Sequence, residues 1–205
     1  MVLADAPTSY YRAGDIATNA KGRVAYDSSG HCNNGSLRYT DTAATGAIIG
    51  DPDAATAGGF SAPAATLPAG GTARTVEFWA ATTSCCGTLG VSYGNLAAGN
   101  GFSLIYNIGN GQLTVSDGAS LGQLTINEPY QLNDGNWHLF DLAYTGTQAT
   151  FYVDGVAVGT GSLGGLTTDT SIGLTASAQA LDEVAVYPTA LSAARIAAHW
   201  SASGR

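Results

Sequence analysis

Short runs of alternating or β-branched apolar residues recur along the chain, separated by clusters of Gly, Asn and Asp. Alternation with a period of two predicts strands, and Asn-Gly steps favour tight turns, so Asn110-Gly111 predicts a hairpin. About a dozen short strands at such spacing predict an antiparallel β-sandwich or barrel. The clearest predicted strands are residues 75–81, 102–108, 112–116, 137–144, 148–153, 156–159 and 181–187.

A single helix is predicted near the end of the sequence. Ser192 is a good N-cap for the Ala-rich segment 193–199, which has Pro188 before it and Gly204 beyond it. The sequence contains no internal repeat and no Pro-rich linker, so residues 1–205 are predicted to form one domain.

The side chains of the predicted strands divide between two faces. In residues 75–81, Val76 and Phe78 point one way, while Glu77 and Trp79 point the other. One face is apolar and the other mixed, which predicts a sheet that is buried on one side only.

Charge is scarce in this chain. Only 11% of residues are charged, the formal net charge is −8, and Lys21 is the single lysine. Seven basic residues cannot form a nucleic-acid-binding patch, and no apolar run reaches the roughly 18 residues that would cross a membrane. Residues 1–5 lack the basic segment and long apolar stretch of a signal peptide, so the chain is either cytosolic or a module of a longer exported protein, and we expect the second.

Eight short motifs follow one another over nearly the whole chain. They are residues 10–15 (YYRAGD), 27–31 (DSSGH), 33–35 (NNG), 50–53 (GDPD), 76–79 (VEFW), 134–138 (DGNWH), 151–155 (FYVDG), and 181–187 with 191–200 (LDEVAVY, LSAARIAAHW). In this order they resemble the laminin G-like jelly-roll domains of the concanavalin A-like lectin/glucanase superfamily, in their bacterial form. The resemblance implies an all-β, two-sheet antiparallel jelly-roll β-sandwich with a short C-terminal helix.

That superfamily includes glycoside hydrolases, which need two carboxyl groups flanking the scissile bond. The E-x-D-x-E strand pattern that would supply them is absent. The adjacent Asp182 and Glu183 are expected on opposite faces, and a Glu77–Asp141 pair across strands is the one remaining arrangement. We also expect His138 to pack in the core and His199 to be a surface or capping residue. The sequence therefore predicts no catalytic residues.

The resemblance implies one structural Ca²⁺ where the N-terminal segment meets the last strand. Its candidate ligands are Asp27, Asp182 and backbone carbonyls near Gly30 and His31. In the alternative interpretation Asp27 caps the turn that it begins, and Asp182 simply ends a strand.

The three cysteines leave several alternatives open. Cys32 could form a disulfide with Cys85 or Cys86, the vicinal pair could close on itself, or all three could be thiols without a role.

Glycan recognition would use aromatic rings together with amide and carboxyl groups. Each candidate side chain could instead serve packing or turn formation. Two of them, Trp79 and Tyr106, lie on predicted strands. The others occupy Gly-rich segments expected to be rim loops: Tyr93, Asn95, Asn100 and Asn107.

Together these features predict a non-catalytic binding or adhesion module of an exported, extracellular or cell-surface bacterial protein, with a glycan as the preferred ligand. The alternative is a structural role, as a spacer or a self-assembling surface-layer or filament subunit. A glycoside hydrolase relative is the third and least favoured hypothesis.

Overall fold

The computed structural model describes residues 1–14, 23–38, 41–118, 123–164 and 166–205. Asp15, which ends the first motif, and Lys21 lie outside these ranges. Two 3-10 helices cover Val2–Asp5 and Leu96–Ala98. The other elements are β1 (Ser9–Tyr11), β2 (Val24–Ala25), β3 (Gly35–Leu37), β4 (Thr42–Thr45), β5 (Ala54–Ala62), β6 (Arg74–Ala81), β7 (Thr88–Asn95), β8 (Asn100–Asn107), β9 (Gln112–Ser116), β10 (Gln123–Asn127), β11 (Trp137–Tyr144), β12 (Gln148–Val153), β13 (Val156–Ser162), β14 (Leu174–Tyr187) and α1 (Ala193–Ala202).

The strands pair antiparallel in two layers that share β14. The second half of β14 pairs with β1 and β6, and the first layer continues through β11, β12 and β13. The first half of β14 pairs with β5 and β7, and the second layer continues through β8, β9 and β10. The predicted two-sheet antiparallel sandwich with a short C-terminal helix is confirmed.

Most predicted elements occur within one or two residues of their predicted bounds. The hairpin at Asn110-Gly111 joins β8 to β9, and the Ser192 hydroxyl caps α1 by accepting a hydrogen bond from the Arg195 N–H. β13 and α1 each end three residues later than predicted, and the largest difference is in β14, which begins at Leu174 rather than Leu181. Its first half, LTASAQA, does alternate between apolar and polar residues, but three of its four apolar residues are Ala, which is depleted in strands.

The main core lies between the two sheets. Val76 and Phe78 of β6 and Phe140 of β11 are buried there, and the Phe78 and Phe140 rings stack with centroids 5.2 Å apart. The predicted division of side chains along β6 is therefore confirmed on this side.

The opposite side of β6 and β11 is also buried, so the prediction of burial on one side only is wrong. Helix α1 packs on this outward face and covers it with Ile196, His199 and Trp200. Beneath the helix lie Glu77 and Trp79 from β6, together with Leu139, Asp141 and Ala143 from β11 and Tyr187 from β14. We call this surface the covered face.

Within the described ranges, no α-helix covers the outward face of β7–β10 and of the first half of β14. We call it the open face. One row of paired residues crosses it over roughly 19 Å, at about 4.8 Å per strand. The row contains hydroxyl and amide side chains only: Thr175, Ser92, Ser103, Ser116 and Gln123. Among the described helices, none has the length and apolar character needed to cross a membrane.

Candidate functional site

A cavity of about 400 Å³ lies where the covered face meets the N-terminal segment and the end of α1. We call it the helix-side pocket. Val2, Leu3 and Ile48 form an apolar part of its wall. The side chains that give it chemistry are Tyr10, Arg12, Glu77, Trp79, Glu183 and His199.

Trp79 forms an aromatic wall of the pocket. Its indole stacks on that of Trp200 from α1, with centroids 5.3 Å apart and planes at 17°. Trp79 is only 3% exposed, because Trp200 and Ala47 pack around it. Of the aromatic residues predicted to bind a ligand, Trp79 is thus the one that lines this pocket.

Glu183 reaches the pocket through an irregularity in β14. The register between β14 and β6 shifts between Asp182 and Ala185, and Glu183 has the left-handed φ of 49°. A bulge of this kind turns a side chain away from the alternating pattern. Asp182, opposite Trp79, and Glu183, which lines the pocket beside Trp79, therefore lie on the same side of the sheet. The prediction that they point to opposite faces is wrong.

Two neighbours hold the Glu183 carboxyl group in place. The Tyr10 hydroxyl donates a hydrogen bond to Glu183 Oε2, and the Arg12 Nε lies 3.4 Å from Glu183 Oε1. Burial raises the pKa of Glu183, although Tyr10 and Arg12 oppose that shift. The side chain remains able to accept from a ligand hydroxyl.

Arg12 is the cation at the mouth of the pocket. Its Nη2 lies 2.6 Å from Asp51 Oδ2, its Nε lies 3.3 Å from Asp53 Oδ2, and its side chain remains 37% exposed. Beneath it, burial and the charge of Glu183 raise the pKa of Asp182 to about 8. The single guanidinium of Arg12 thus forms ion pairs with three carboxyl groups, those of Asp51, Asp53 and Glu183.

His199 lies at the base of the pocket and links α1 to β6. Its Nδ1 is 2.6 Å from Glu77 Oε2 and its Nε2 is 2.7 Å from Asp5 Oδ2. Burial lowers the pKa of His199, but Glu77 and Asp5 outweigh it and raise the pKa overall. Arg195 also pairs with Asp5. The prediction that His199 is a surface residue is wrong, because its side chain is buried between the two acids that it contacts.

His138 is buried as expected.

Glu77 and Asp141 are directly opposed on neighbouring strands, as the sequence allowed. Their setting differs from that of a hydrolytic pair. Both oxygens of Asp141 are buried and have no hydrogen-bond partner, and burial together with the charge of Glu77 raises the pKa of Asp141. Glu77 accepts from the Tyr187 hydroxyl and contacts His199. Asp141 is therefore sealed from any substrate.

The rings of Tyr93 and Tyr106 lie in the core between the sheets, and neither is more than 1% exposed. The Tyr93 hydroxyl accepts from Arg74 and donates to the Pro68 carbonyl, and the Tyr106 hydroxyl donates to Glu128. Tyr93 belongs to strand β7 rather than to a rim loop. These contacts correct the expectation that the two rings present a stacking surface.

Asn95 and Asn100 lie opposite each other at one end of the β7–β8 hairpin, whereas Asn107 lies at the other end, roughly 20 Å away. Asn95 Oδ1 caps the short helix Leu96–Ala98, and Asn100 Oδ1 accepts from Thr167. The structure brings none of the three to the helix-side pocket.

The candidate calcium ligands bind backbone groups. Asp27 accepts from the N–H groups of Tyr10, Ser29 and Asn33, so its predicted turn-capping role is confirmed. Asp182 accepts from the N–H of Ala47. Within the described ranges, no three His, Cys, Asp or Glu side chains form a group that could hold a metal ion. Calcium binding stays a prediction.

Cys32, Cys85 and Cys86 are exposed free thiols in the structure. None of the three candidate disulfides is formed here, and the Sγ atoms of Cys85 and Cys86 lie 3.6 Å apart.

The helix-side pocket places polar and charged side chains next to the Trp79 indole, so it can contact both the polar and the apolar parts of a ligand. Sequence reasoning missed Tyr10, Arg12, Glu183 and His199. All four lie inside motifs that carried the family resemblance, which was the available signal.

The family model described as the concanavalin A-like lectin/glucanases superfamily, a laminin G model, matches residues 53–197. A comparison with curated proteins gave no match.

Solved structures of very low sequence identity share the fold. Domain 4 of AbnA, an extracellular arabinanase from Geobacillus stearothermophilus in complex with arabinotriose, has a TM-score of 0.70 at 14% identity, covering 94% of this chain and 97% of that chain. The binding domain of Paraclostridial Mosquitocidal Protein 1 has a TM-score of 0.65 at 11% identity, with 97% and 52% covered. The Botulinum neurotoxin serotype G binding domain has a TM-score of 0.63 at 10% identity, with 95% and 50% covered. The chain spans about half the length of these two toxin domains, and it shares the jelly-roll fold with the part of each that it matches.

Proposed function

The chain belongs to the laminin G family of the concanavalin A-like lectin/glucanases superfamily, and from this premise we propose that it is a non-catalytic module that binds a glycan in the helix-side pocket. We place it on an exported protein, where binding would serve adhesion or substrate attachment. The arabinanase domain with a similar fold belongs to an extracellular enzyme and holds arabinotriose, which supports both parts of the proposal.

The observation that carries the proposal is the lining of the pocket. A sugar ring has apolar C–H faces and a hydroxyl edge, and protein sites meet it with an aromatic surface and a few fixed polar groups. Here the Trp79 indole stands beside Glu183, Arg12 and Tyr10, whose positions are set by their mutual hydrogen bonds. The cavity of about 400 Å³ lies within the usual range for small-ligand pockets, about 300–1,000 Å³.

The same contacts favour binding over hydrolysis. A glycosidase needs one carboxyl group free to donate a proton and a second free to attack or to activate water. Asp141 is sealed beneath α1, and Glu77 is held by His199 and Tyr187. With Asp141 sealed and Glu77 held, this pair lacks the two free carboxyl groups that hydrolysis needs.

A glycan-array screen of the purified chain tests this function. We expect reproducible hits that are lost in Glu183→Gln, which removes the carboxylate at the pocket wall, and kept in Thr175→Ala on the open face. A blank array from protein shown to be folded would contradict glycan binding.

We further propose that one structural Ca²⁺ binds through Asp27 and Asp182. Running the array in Ca²⁺ and again in EDTA, with a melting curve in each, tests it. A bound ion stabilises the folded state by mass action, so the melting temperature should rise in Ca²⁺ and the rise should vanish in Asp182→Asn. Equal melting temperatures for the wild type in Ca²⁺ and EDTA would contradict it.

A second candidate function, self-association, is favoured by the open face. The open face carries no charged side chain among the described outward residues, which come from β7–β10 and, in β14, are Thr175 and Ser177. Two copies could therefore bring these faces together without charge repulsion. Light scattering over a wide concentration range should then show assembly that Thr175→Lys abolishes. A monomer at every concentration would exclude this candidate.

A further inference from the structure

Cys85 and Cys86 present two free thiols side by side on the surface. They lie in the loop that joins β6 to β7, both are exposed, and their Sγ atoms are 3.6 Å apart. The proposed glycan site does not use them, and neither does any contact of the core.

The loop that carries the two thiols is fixed at several points. The Ser84 hydroxyl donates to the Cys86 carbonyl at 2.7 Å, and Asn133 Nδ2 donates to the Ser84 carbonyl at 2.9 Å. Gln179 Oε1 accepts from the Thr83 N–H at 2.7 Å. Little conformational freedom would be lost when both sulfurs bind one ligand atom, so the pair is preorganised.

The separation of the sulfurs matches chelation. Two thiolates at about 2.3 Å from one centre lie roughly 3.3 Å apart at a pyramidal angle near 90° and roughly 3.8 Å apart at the tetrahedral angle, and the observed 3.6 Å falls between these limits. A disulfide fits less well, because adjacent Cα atoms are about 3.8 Å apart and disulfides usually span about 4.4–6.8 Å between Cα atoms.

We propose that Cys85 and Cys86 form a two-sulfur chelating site for a thiophilic centre, of the class of monosubstituted trivalent arsenicals. Such a centre brings its own third substituent and needs only two protein ligands. A closed zinc site needs four, and no third His, Cys, Asp or Glu joins the pair in the described part of the chain.

The binding step is a condensation without redox change. An arsenic(III) oxide R–As=O reacts with the two thiols to form two As–S bonds. The As–O bond breaks, and the oxygen leaves as water with the two thiol protons. Arsenic stays trivalent, and no oxidant or reductant is consumed.

Titration of the reduced full-length chain with phenylarsine oxide tests the site. We expect one arsenical per chain by intact mass, with peptide mapping showing Cys85 and Cys86 protected from alkylation and Cys32 unprotected. A small dithiol should release the arsenical, while a monothiol at equal concentration should not. The exposed Cys32 supplies the matched control, so Cys32→Ser should bind like the wild type. Cys85→Ser and Cys86→Ser should each bind at least about 100-fold more weakly, since a single sulfur loses the chelate advantage.

Three results would overturn the proposal. One is undiminished affinity in Cys85→Ser or Cys86→Ser. Another is loss of binding in Cys32→Ser, which would pair Cys32 with one member of the loop. The third is alkylation of all three thiols at saturating arsenical. Melting curves check that each variant is folded, and Asn133→Ala, which loosens the loop but keeps both sulfurs, should weaken binding only a few-fold.

Discussion

The two outward faces of the sandwich carry opposite kinds of chemistry. On the covered face, α1 buries Glu77 and Asp141 and its own His199 against them, and the edge of this face forms the helix-side pocket. The open face carries mainly hydroxyl and amide groups, with contacts such as that of Ser92 Oγ with Thr175 Oγ1 at 2.9 Å. The same strand, β14, contributes to both faces.

The difference shows what one short helix adds to a β-sandwich. Helix α1 excludes water from a sheet face, and charged groups there must find partners or change protonation state. His199 from the helix, Asp5 from the N-terminal segment and Glu77 from β6 meet this requirement together. These three side chains should contribute far more to the free energy of unfolding than any hydroxyl on the open face.

The largest effect is expected from His199→Ala. Removing the imidazole leaves Glu77 buried with one of its two partners gone, which should lower the free energy of unfolding by about 3–5 kcal/mol. Urea denaturation measures the change. His199→Gln, which can still donate a hydrogen bond to Glu77, should recover part of the loss. A change below about 1 kcal/mol in His199→Ala would show that the covered face does not depend on this contact.

Asp141→Leu is expected to stabilise the protein, in contrast to His199→Ala. Asp141 is buried with both oxygens unpartnered beside Glu77, so an apolar side chain should raise the free energy of unfolding by about 1–3 kcal/mol at neutral pH. The same urea experiment measures it. Destabilisation by Asp141→Leu would mean that the carboxyl group makes a contact essential to the fold.

Stability should fall as pH rises between about 4 and 8. Burial and the charge of Glu183 raise the pKa of Asp182 from 3.8 to about 8, so over this window the folded state binds a proton that the unfolded state has lost. His199 acts in the same direction, because its stabilisation is complete below pH 6.5 and is lost as pH rises through its raised pKa. The lowered pKa of Asp5 acts the other way, but only in acid below 3.8.

Urea denaturation at a series of pH values tests the slope, and Asp182→Asn should flatten it. Stability that increases steadily over this range would contradict the assignment of raised pKa values to the covered face.

The smallest effect is expected on the open face. Thr175→Ala removes one exposed hydroxyl and its contact with Ser92, so the free energy of unfolding should change by no more than about 0.5 kcal/mol. Differential scanning calorimetry of this variant beside His199→Ala gives the contrast between the faces in one experiment. If Thr175→Ala lowered the free energy of unfolding as much as His199→Ala, the two faces would not differ in their contribution to stability.

Local patterns in the sequence predicted bounds for about half of the described strands, without β5 or β7, and the inward face of β6. The alternation of Val76 and Phe78 with Glu77 and Trp79 placed the core correctly, and Ser192 marked the start of α1. These features depend on residues that are close in sequence, where periodicity and capping carry information.

The candidate site depended on contacts that no local pattern contains. His199 meets Glu77 across 122 positions, and the bulge at Glu183 overrides the strand alternation that separated it from Asp182. One signal was present, since β11 carries Leu139 and Ala143 beside Asp141 on the face expected to meet solvent. That apolar content already indicated burial on both sides.

Isothermal titration of the strongest glycan-array hit into three proteins tests the central claim most directly. The wild type and Thr175→Ala should bind alike, with a change in tryptophan fluorescence from Trp79. Glu183→Gln should bind at least about tenfold more weakly, because a hydrogen bond to a charged group is worth about 1.5–3 kcal/mol. Full affinity in Glu183→Gln together with lost affinity in Thr175→Ala would contradict the account and move the glycan to the open face.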